Sequence, residues 1–121
     1  MALILIVDDS PTELHVLQRA LELSGYRTAV ATEGGESLRL ARELRPDLIL
    51  MDIVMPGMNG YQATRALRND PSTREIPVIM LSSKDGLFDR ARGRIVGSEH
   101  YLTKPFTKEE LLDAIHTHIS R

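Results

Sequence analysis

The 121-residue sequence has no cysteine and no tryptophan. Without cysteine there are no disulfides and no thiolate metal sites, which fits a reducing compartment, and a cytoplasmic location is the expectation. Aromatic residues make up 4% of the chain, too few to build a base-stacking platform. Charge of one sign is also missing: fifteen basic residues stand against seventeen acidic ones, a formal net charge of −2. With no block of like charge, an electrostatic grip on nucleic acid is not expected. Long apolar runs are absent as well. The N-terminal stretch MALILIVDD has no basic flank, and its six-residue apolar run ends in acids, too short for a signal peptide or a membrane span. No repeat, low-complexity tract or linker breaks the chain. The expectation is one domain over residues 1–121, with no output domain and no membrane insertion.

Hydrophobic residues form 42% of the chain, enough for one sizeable core. They fall in short runs: Leu3-Ile4-Leu5-Ile6-Val7, Thr28-Ala29-Val30-Ala31, Leu48-Ile49-Leu50-Met51, Val78-Ile79-Met80-Leu81 and Tyr101-Leu102. Such runs lack polar alternation and are separated by amphipathic stretches, which predicts an α/β fold of five βα units with a parallel sheet wrapped by helices. The second and fifth runs read as shorter or edge strands. Ser10-Pro11-Thr12-Glu13 and Thr107-Lys108-Glu109-Glu110 both read as capping boxes that open helices. Leu14, Leu17 and Leu21 supply an apolar face for the first helix, and Leu112, Ile115 and Ile119 one for the last. Gly25 closes the first helix; the second spans about 35–44 and the third about 60–68. A fourth helix, expected within 85–96, contains Gly86 and Gly93, each costing roughly 1 kcal/mol against alanine, and should be the softest.

In an open parallel sheet, ligands bind outside the carboxyl ends of the strands. There the chain places Asp8-Asp9 after the first run, Asp52 after the third, Ser82 after the fourth and Lys104-Pro105 after the fifth. Any one of these acids is explained by helix capping or a turn. Three converging carboxylates without three basic partners repel one another unless a divalent cation neutralises them, and oxygen ligands of this kind suit Mg²⁺. A lysine beside them is either a plain ion pair or a point charge for a phosphoryl oxygen, which a serine hydroxyl also binds. The conjunction favours a phosphate site over separate structural roles.

In the order and spacing of these residues the whole chain resembles a response-regulator receiver domain, of the stand-alone kind typified by the chemotaxis regulator of flagellar motors. The likeness rests on Asp8-Asp9, on Asp52-Ile53-Val54-Met55-Pro56-Gly57-Met58-Asn59-Gly60, on Ser82, and on Tyr101-Leu102-Thr103-Lys104-Pro105-Phe106. It implies a flavodoxin-like (βα)5 three-layer sandwich with strand order 2-1-3-4-5. It also implies that Asp52 is the phosphoacceptor, that Asp9 and Asp52 bind Mg²⁺ directly, and that Asp8 does so through water. The backbone carbonyl of Val54 completes that set. Ser82 and Lys104 would hold phosphoryl oxygens, Lys104-Pro105 would be a cis peptide, and Tyr101 would be the aromatic switch that enters space vacated by Ser82. The implied partners are a chemotaxis-type histidine kinase and a downstream protein bound by a monomer through 86–95, Tyr101 and 108–119. The stretches 54–64 and 82–89 resemble receivers of the system that controls type IV pili and twitching motility. Flagellar chemotaxis or a phosphorelay, with the domain as a phosphate sink, is the second reading.

The chain departs from the commonest receiver pattern at Gly97-Ser98-Glu99-His100, which suggests a differently tuned switch. Val54 and Lys84 occupy positions that in this family influence phosphoryl lifetime. A Mg²⁺-dependent phosphohydrolase would need a general acid/base two residues after the nucleophile, where this chain has Val54. A flavodoxin-like cofactor binder would need a phosphate loop where the chain has Asp8-Asp9. A receiver used only as an adaptor would not need all five site residues. His116 and His118 are two apart on a helix, with His15 and His100 elsewhere, so all four are expected on solvated surface. The methionines Met51, Met55, Met58 and Met80 are expected to pack rather than bind. The basic run 90–94 reads as a wet helix face on the signalling side.

Overall fold

The computed structural model describes residues 2–82 and 100–119. Its elements are β1 (Leu3–Val7), α1 (Pro11–Leu23), β2 (Arg27–Ala31), α2 (Gly34–Leu44), β3 (Leu48–Asp52), α3 (Gly60–Asn69), β4 (Val78–Ser82), β5 (His100–Thr103) and α4 (Lys108–His118). The helix expected within 85–96, Lys84 and the basic run 90–94 lie outside the described residues, so α4 is the fifth of the expected helices. The strands form one sheet in the order β2-β1-β3-β4-β5, and every neighbouring pair is parallel. The two strands expected at edges are the edges.

The period of two along each strand sorts the core into two layers. Leu5 and Val7 of β1, Ile49 and Met51 of β3, and Val78 and Met80 of β4 pack with Ala41 of α2 and with Tyr61, Ala63 and Leu67 of α3. Their neighbours Ile4, Ile6, Leu48, Leu50, Ile79 and Leu81 pack with Leu14, Leu17 and Leu21 of α1 and with Leu111, Ala114 and Ile115 of α4. Both faces of the central strands are covered, which is why those runs contain no polar alternation. Met51, Met55 and Met80 are buried, and Met58 packs against them.

Three local expectations change. The apolar face of α4 is centred on Leu111, Ala114 and Ile115, with Leu112 and Ile119 only half-buried at its margin. Alanine escaped notice as a core residue, although a small side chain lets helix and sheet approach. The capping box at α1 is half made: the Ser10 hydroxyl accepts from the Glu13 N–H at 3.3 Å, but the Glu13 carboxylate is held by Lys104 instead. The Thr107–Glu110 box is complete, and so is an unanticipated box between Asn59 and Gln62 at α3. Finally, His100 and His118 are not separate, since strand and helix bring their rings into contact.

Two glycines are needed for different reasons, one at a helix end and one beside the site. Gly25, at φ +96°, closes α1 as expected. A Cβ on Gly60 would collide with the backbone carbonyl of Asp52, so glycine lets α3 begin hard against the end of β3.

Candidate functional site

The carboxyl ends of β1, β3 and β5 meet in one pocket. Asp8 follows β1 directly, and its backbone N–H bonds to the Ala31 carbonyl at 3.1 Å, continuing the ladder to β2. Its Oδ1 accepts from the Ser10 N–H at 2.9 Å, which locks the side chain at the entrance to α1. Asp52 is the last residue of β3. It is held between the strand ladder and the turn behind it, where the Ile53 N–H bonds to Leu81 and the Ile53 carbonyl accepts from Gly60. Lys104 follows β5, and its N–H donates to the Ser82 carbonyl at 2.6 Å, tying the ends of β4 and β5. The Lys104–Pro105 peptide is cis.

One ammonium serves several acids. Lys104 Nζ lies 2.5 Å from Glu13 Oε1, 3.2 Å from Asp52 Oδ1 and 3.7 Å from Asp8 Oδ2. One carboxylate oxygen each of Asp8, Asp9 and Asp52 lies within 4.8 Å of the others. Asp8 and Asp52 are buried, while Asp9 faces solvent. Four carboxylates therefore crowd a lysine that reaches three of them.

The protonation equilibria record that crowding. Burial pushes the Asp8 carboxyl up to about 6; its bond from Ser10 opposes the rise, and the charge of Asp52 adds to it. Burial also raises Asp52, against the opposing pull of Lys104. Burial disfavours the Lys104 ammonium, yet its bond to Glu13 and the charges of Asp52 and Asp8 hold it above the ordinary lysine value. Glu13 is lowered chiefly by its bond to Lys104. Buried carboxylates with raised protonation are short of positive charge.

A hard divalent cation fits this shortage. Asp8 Oδ2 is buried and has no hydrogen-bond partner, and it belongs to the same three-carboxylate group that offers one oxygen per residue. The donor set is all oxygen, as Mg²⁺ requires. Such a pocket also suits a tetrahedral oxyanion, with Lys104 as its fixed counter-charge.

Asp8, Asp9, Asp52 and Lys104 thus converge. Ser82 ends β4 in the register beside Thr103, buried at the same edge. Val54 is 67% exposed, one turn residue beyond the pocket floor. Tyr101 pairs with Met80 in register and is buried in the layer beneath α2 and α3. Glu13 was missed as a site residue because its spacing from Ser10 already explained it as a cap. The available signal was position, since the first turn of a helix entered from a strand's carboxyl end overlooks the same crevice.

Comparison with known proteins agrees with this geometry. The response regulator receiver domain family matches residues 4–116. The chain is 51% identical to Protein PilH of Pseudomonas aeruginosa, over 95% of each chain. It is 46% identical to Protein PilG of the same organism, over 96% of this chain and 86% of that one. Chemotaxis protein CheY4 of Vibrio cholerae superposes with a TM-score of 0.93 at 32% identity, covering 98% of this chain and 99% of that one. The receiver domain of sensor histidine kinase PA1611 from Pseudomonas aeruginosa, solved with magnesium coordinated in its active site cleft, gives 0.89 at 34% identity, covering 96% and 95%.

Proposed function

We propose, from the fact that this chain belongs to the response regulator receiver domain family, that it accepts a phosphoryl group on Asp52 and changes a protein-binding face in response. Receiver domains are signalling modules rather than classical enzymes. The observation that carries the proposal is the shared lysine: Lys104 Nζ sits 3.2 Å from Asp52 Oδ1 while bonded to Glu13, a counter-charge beside the one buried acid that ends the central strand.

In this reading an Asp52 carboxylate oxygen attacks the phosphorus of a phosphohistidine on the kinase. The P–N bond breaks, its electron pair stays on the imidazole nitrogen, and that nitrogen takes up a proton. Lys104 and the Ser82 hydroxyl hold phosphoryl oxygens, so little else is required for an in-line transfer that depends on positioning and charge. Asp9, Asp52 and the Val54 carbonyl would hold Mg²⁺ directly and Asp8 would hold it through water, and the ion would supply neutralisation of the carboxylates and the transferring oxygens. Return is hydrolysis: water attacks phosphorus, the Asp52–phosphate bond breaks, and inorganic phosphate leaves. Catalysis by the domain is limited to these two steps on itself.

The acyl phosphate adds about one negative charge and three acceptor oxygens at neutral pH. It gives Lys104 a new partner in competition with Glu13 and draws Ser82, and Tyr101 follows into the space that Ser82 leaves. The output face is the segment 86–95 with β5 and α4; of these, 86–95 lies outside the described residues. Only differential contacts in the two states shift the population. Identity to PilH and PilG exceeds that to the chemotaxis protein CheY4, which supports type IV pilus control over flagellar chemotaxis. The domain works in the cytoplasm as a monomer, with a chemotaxis-type histidine kinase as donor; among described residues no helix is long and apolar enough to cross a membrane.

Intact-mass spectrometry after acetyl phosphate or a phosphorylated histidine kinase tests the acceptor. Wild type is expected to gain one phosphoryl group and Asp52→Asn none. A persistent single adduct on Asp52→Asn overturns the assignment.

A further inference from the structure

Lys104 holds its three acids unequally. Its Nζ lies 2.5 Å from Glu13 Oε1, against 3.2 Å from Asp52 Oδ1 and 3.7 Å from Asp8 Oδ2. The shortest contact thus goes to the one acid that neither receives the phosphoryl group nor belongs to the three-carboxylate group. Glu13 is the third residue of α1, where a capping box would have its carboxylate accept from the Ser10 N–H. Asp8 Oδ1 already takes that N–H at 2.9 Å. The pocket has therefore diverted Glu13 from its local role to the lysine.

The three acids also differ in what they lose when the ammonium turns away. Asp8 and Asp52 are buried, so little water is at hand to replace a lost partner there. The Glu13 side chain is 48% exposed, and a released carboxylate hydrates at small cost. Glu13 and Lys104 share an apolar groove with Val16, Leu17, Pro105 and Phe106, none of which is a cation, so Glu13 released from Lys104 turns to water. A phosphoryl group on Asp52 would draw Lys104 from Glu13 first. We infer that Glu13 is a positioning residue acting through Lys104: it holds the ammonium as a resident substitute for a phosphoryl oxygen and so sets how strongly the phosphorylated state is favoured. The inference rests on the reading of Asp52 as the phosphoacceptor.

The direction follows from the two states. The Glu13–Lys104 bond is intact before modification and surrendered after it, so it stabilises the unmodified state alone. Removing the Glu13 carboxylate should then tighten capture of a phosphoryl group. A side chain that merely supported the start of α1 would act with the opposite sign, because a loosened Ser10 N–H would release Asp8 and spoil the pocket.

The test is beryllofluoride, a phosphoryl mimic, titrated into the full chain with magnesium in excess and followed by NMR. Glu13→Gln is expected to bind it roughly two- to fivefold more tightly than wild type, the range of an ion pair open to water. In a Lys104→Gln background the same substitution is expected to change nothing. Equal or weaker binding by Glu13→Gln overturns the inference, and so does an undiminished gain in the Lys104→Gln background, which would mean a field through space. In wild type the Glu13 carboxyl carbon resonance is expected to move as beryllofluoride binds, and an unmoved resonance overturns the inference without any variant having to fold. A wild type that takes no beryllofluoride overturns the phosphoacceptor reading itself, and the inference with it.

Discussion

The middle of the sheet and its carboxyl edge are built from the same strands, yet the physics that holds them differs. In the middle, Ile4 to Val7, Leu48 to Met51 and Val78 to Leu81 are fully buried between two helical layers, and nothing there changes with pH or metal. One residue further on, Asp8 and Asp52 are buried with raised protonation, Asp8 Oδ2 lacks a hydrogen-bond partner, and one lysine is divided among three acids. The middle contributes stability by area removed from water. The edge gives some of it back, as expected of a site whose charge is to be completed by something it binds. Deleting a side chain should therefore have opposite signs at the two places.

The largest effect tests the middle. Leu50→Ala empties a site with no exposure and should cost about 2–5 kcal/mol in urea unfolding. A loss below 1 kcal/mol would mean the layers collapse around it and the contrast is weaker than drawn.

Next comes Asp8→Asn, which should stabilise the metal-free protein. Because the folded-state pKa of Asp8 is raised, to about 6 from 3.8, the folded state holds its proton longer than the unfolded state. The penalty is absent below about pH 4 and complete above about pH 6, and reaches at most about 3 kcal/mol. In chelator, wild-type stability should fall across that window and the Asp8→Asn profile should be flatter. A wild-type profile that rises there removes the electrostatic account of the edge.

Magnesium should erase part of the same penalty. Binding only the folded state at a hundred times its Kd adds about 2.7 kcal/mol, read as a higher melting temperature in wild type. If Asp9→Asn melts with the same increment, the three-carboxylate assignment is wrong.

Capping gives a smaller and sharper comparison. Thr107→Ala breaks a complete box and should cost about 1 kcal/mol. Ser10→Ala should cost less, because its bond is long and Glu13 is already committed to Lys104. Equal costs would show that the diversion of Glu13 carries no energy. The smallest effect belongs to the exposed pair Arg42–Asp70, whose 2.6 Å contact holds the Asp70 carboxyl down at about 2. Its contribution is present above about pH 4 and disappears as pH falls through 2, the reverse of Asp8. Arg42→Gln should soften the acid limb of the stability profile and nothing else.

Much of this was legible beforehand for a definite reason. Asp8, Asp9, Asp52, Ser82 and Lys104 are read by position, since a residue that follows an apolar strand run must lie at the sheet's edge wherever the strand sits. Glu13 was hidden because one local role, the cap, already accounted for it. The face of α4 was misplaced by a residue because Ala114 weighs little in a hydrophobic count, though it is buried between Leu111 and Ile115. His100 and His118 could not be paired from spacing, because β5 and the cis-proline turn intervene between them.

By itself, then, the order of residues determined the βα alternation, the extent of the core and the placing of acids, a hydroxyl and a lysine at the strand ends, because periodicity and burial are local properties of a chain. Strand order it supported only through resemblance. The division of one lysine among three acids, the lack of a hydrogen bond to Asp8 Oδ2, the approach of α3 to Asp52 through Gly60 and the meeting of the two histidines were decided by tertiary structure alone. Each depends on distances between segments tens of residues apart, and those are set only when the two layers pack on the sheet.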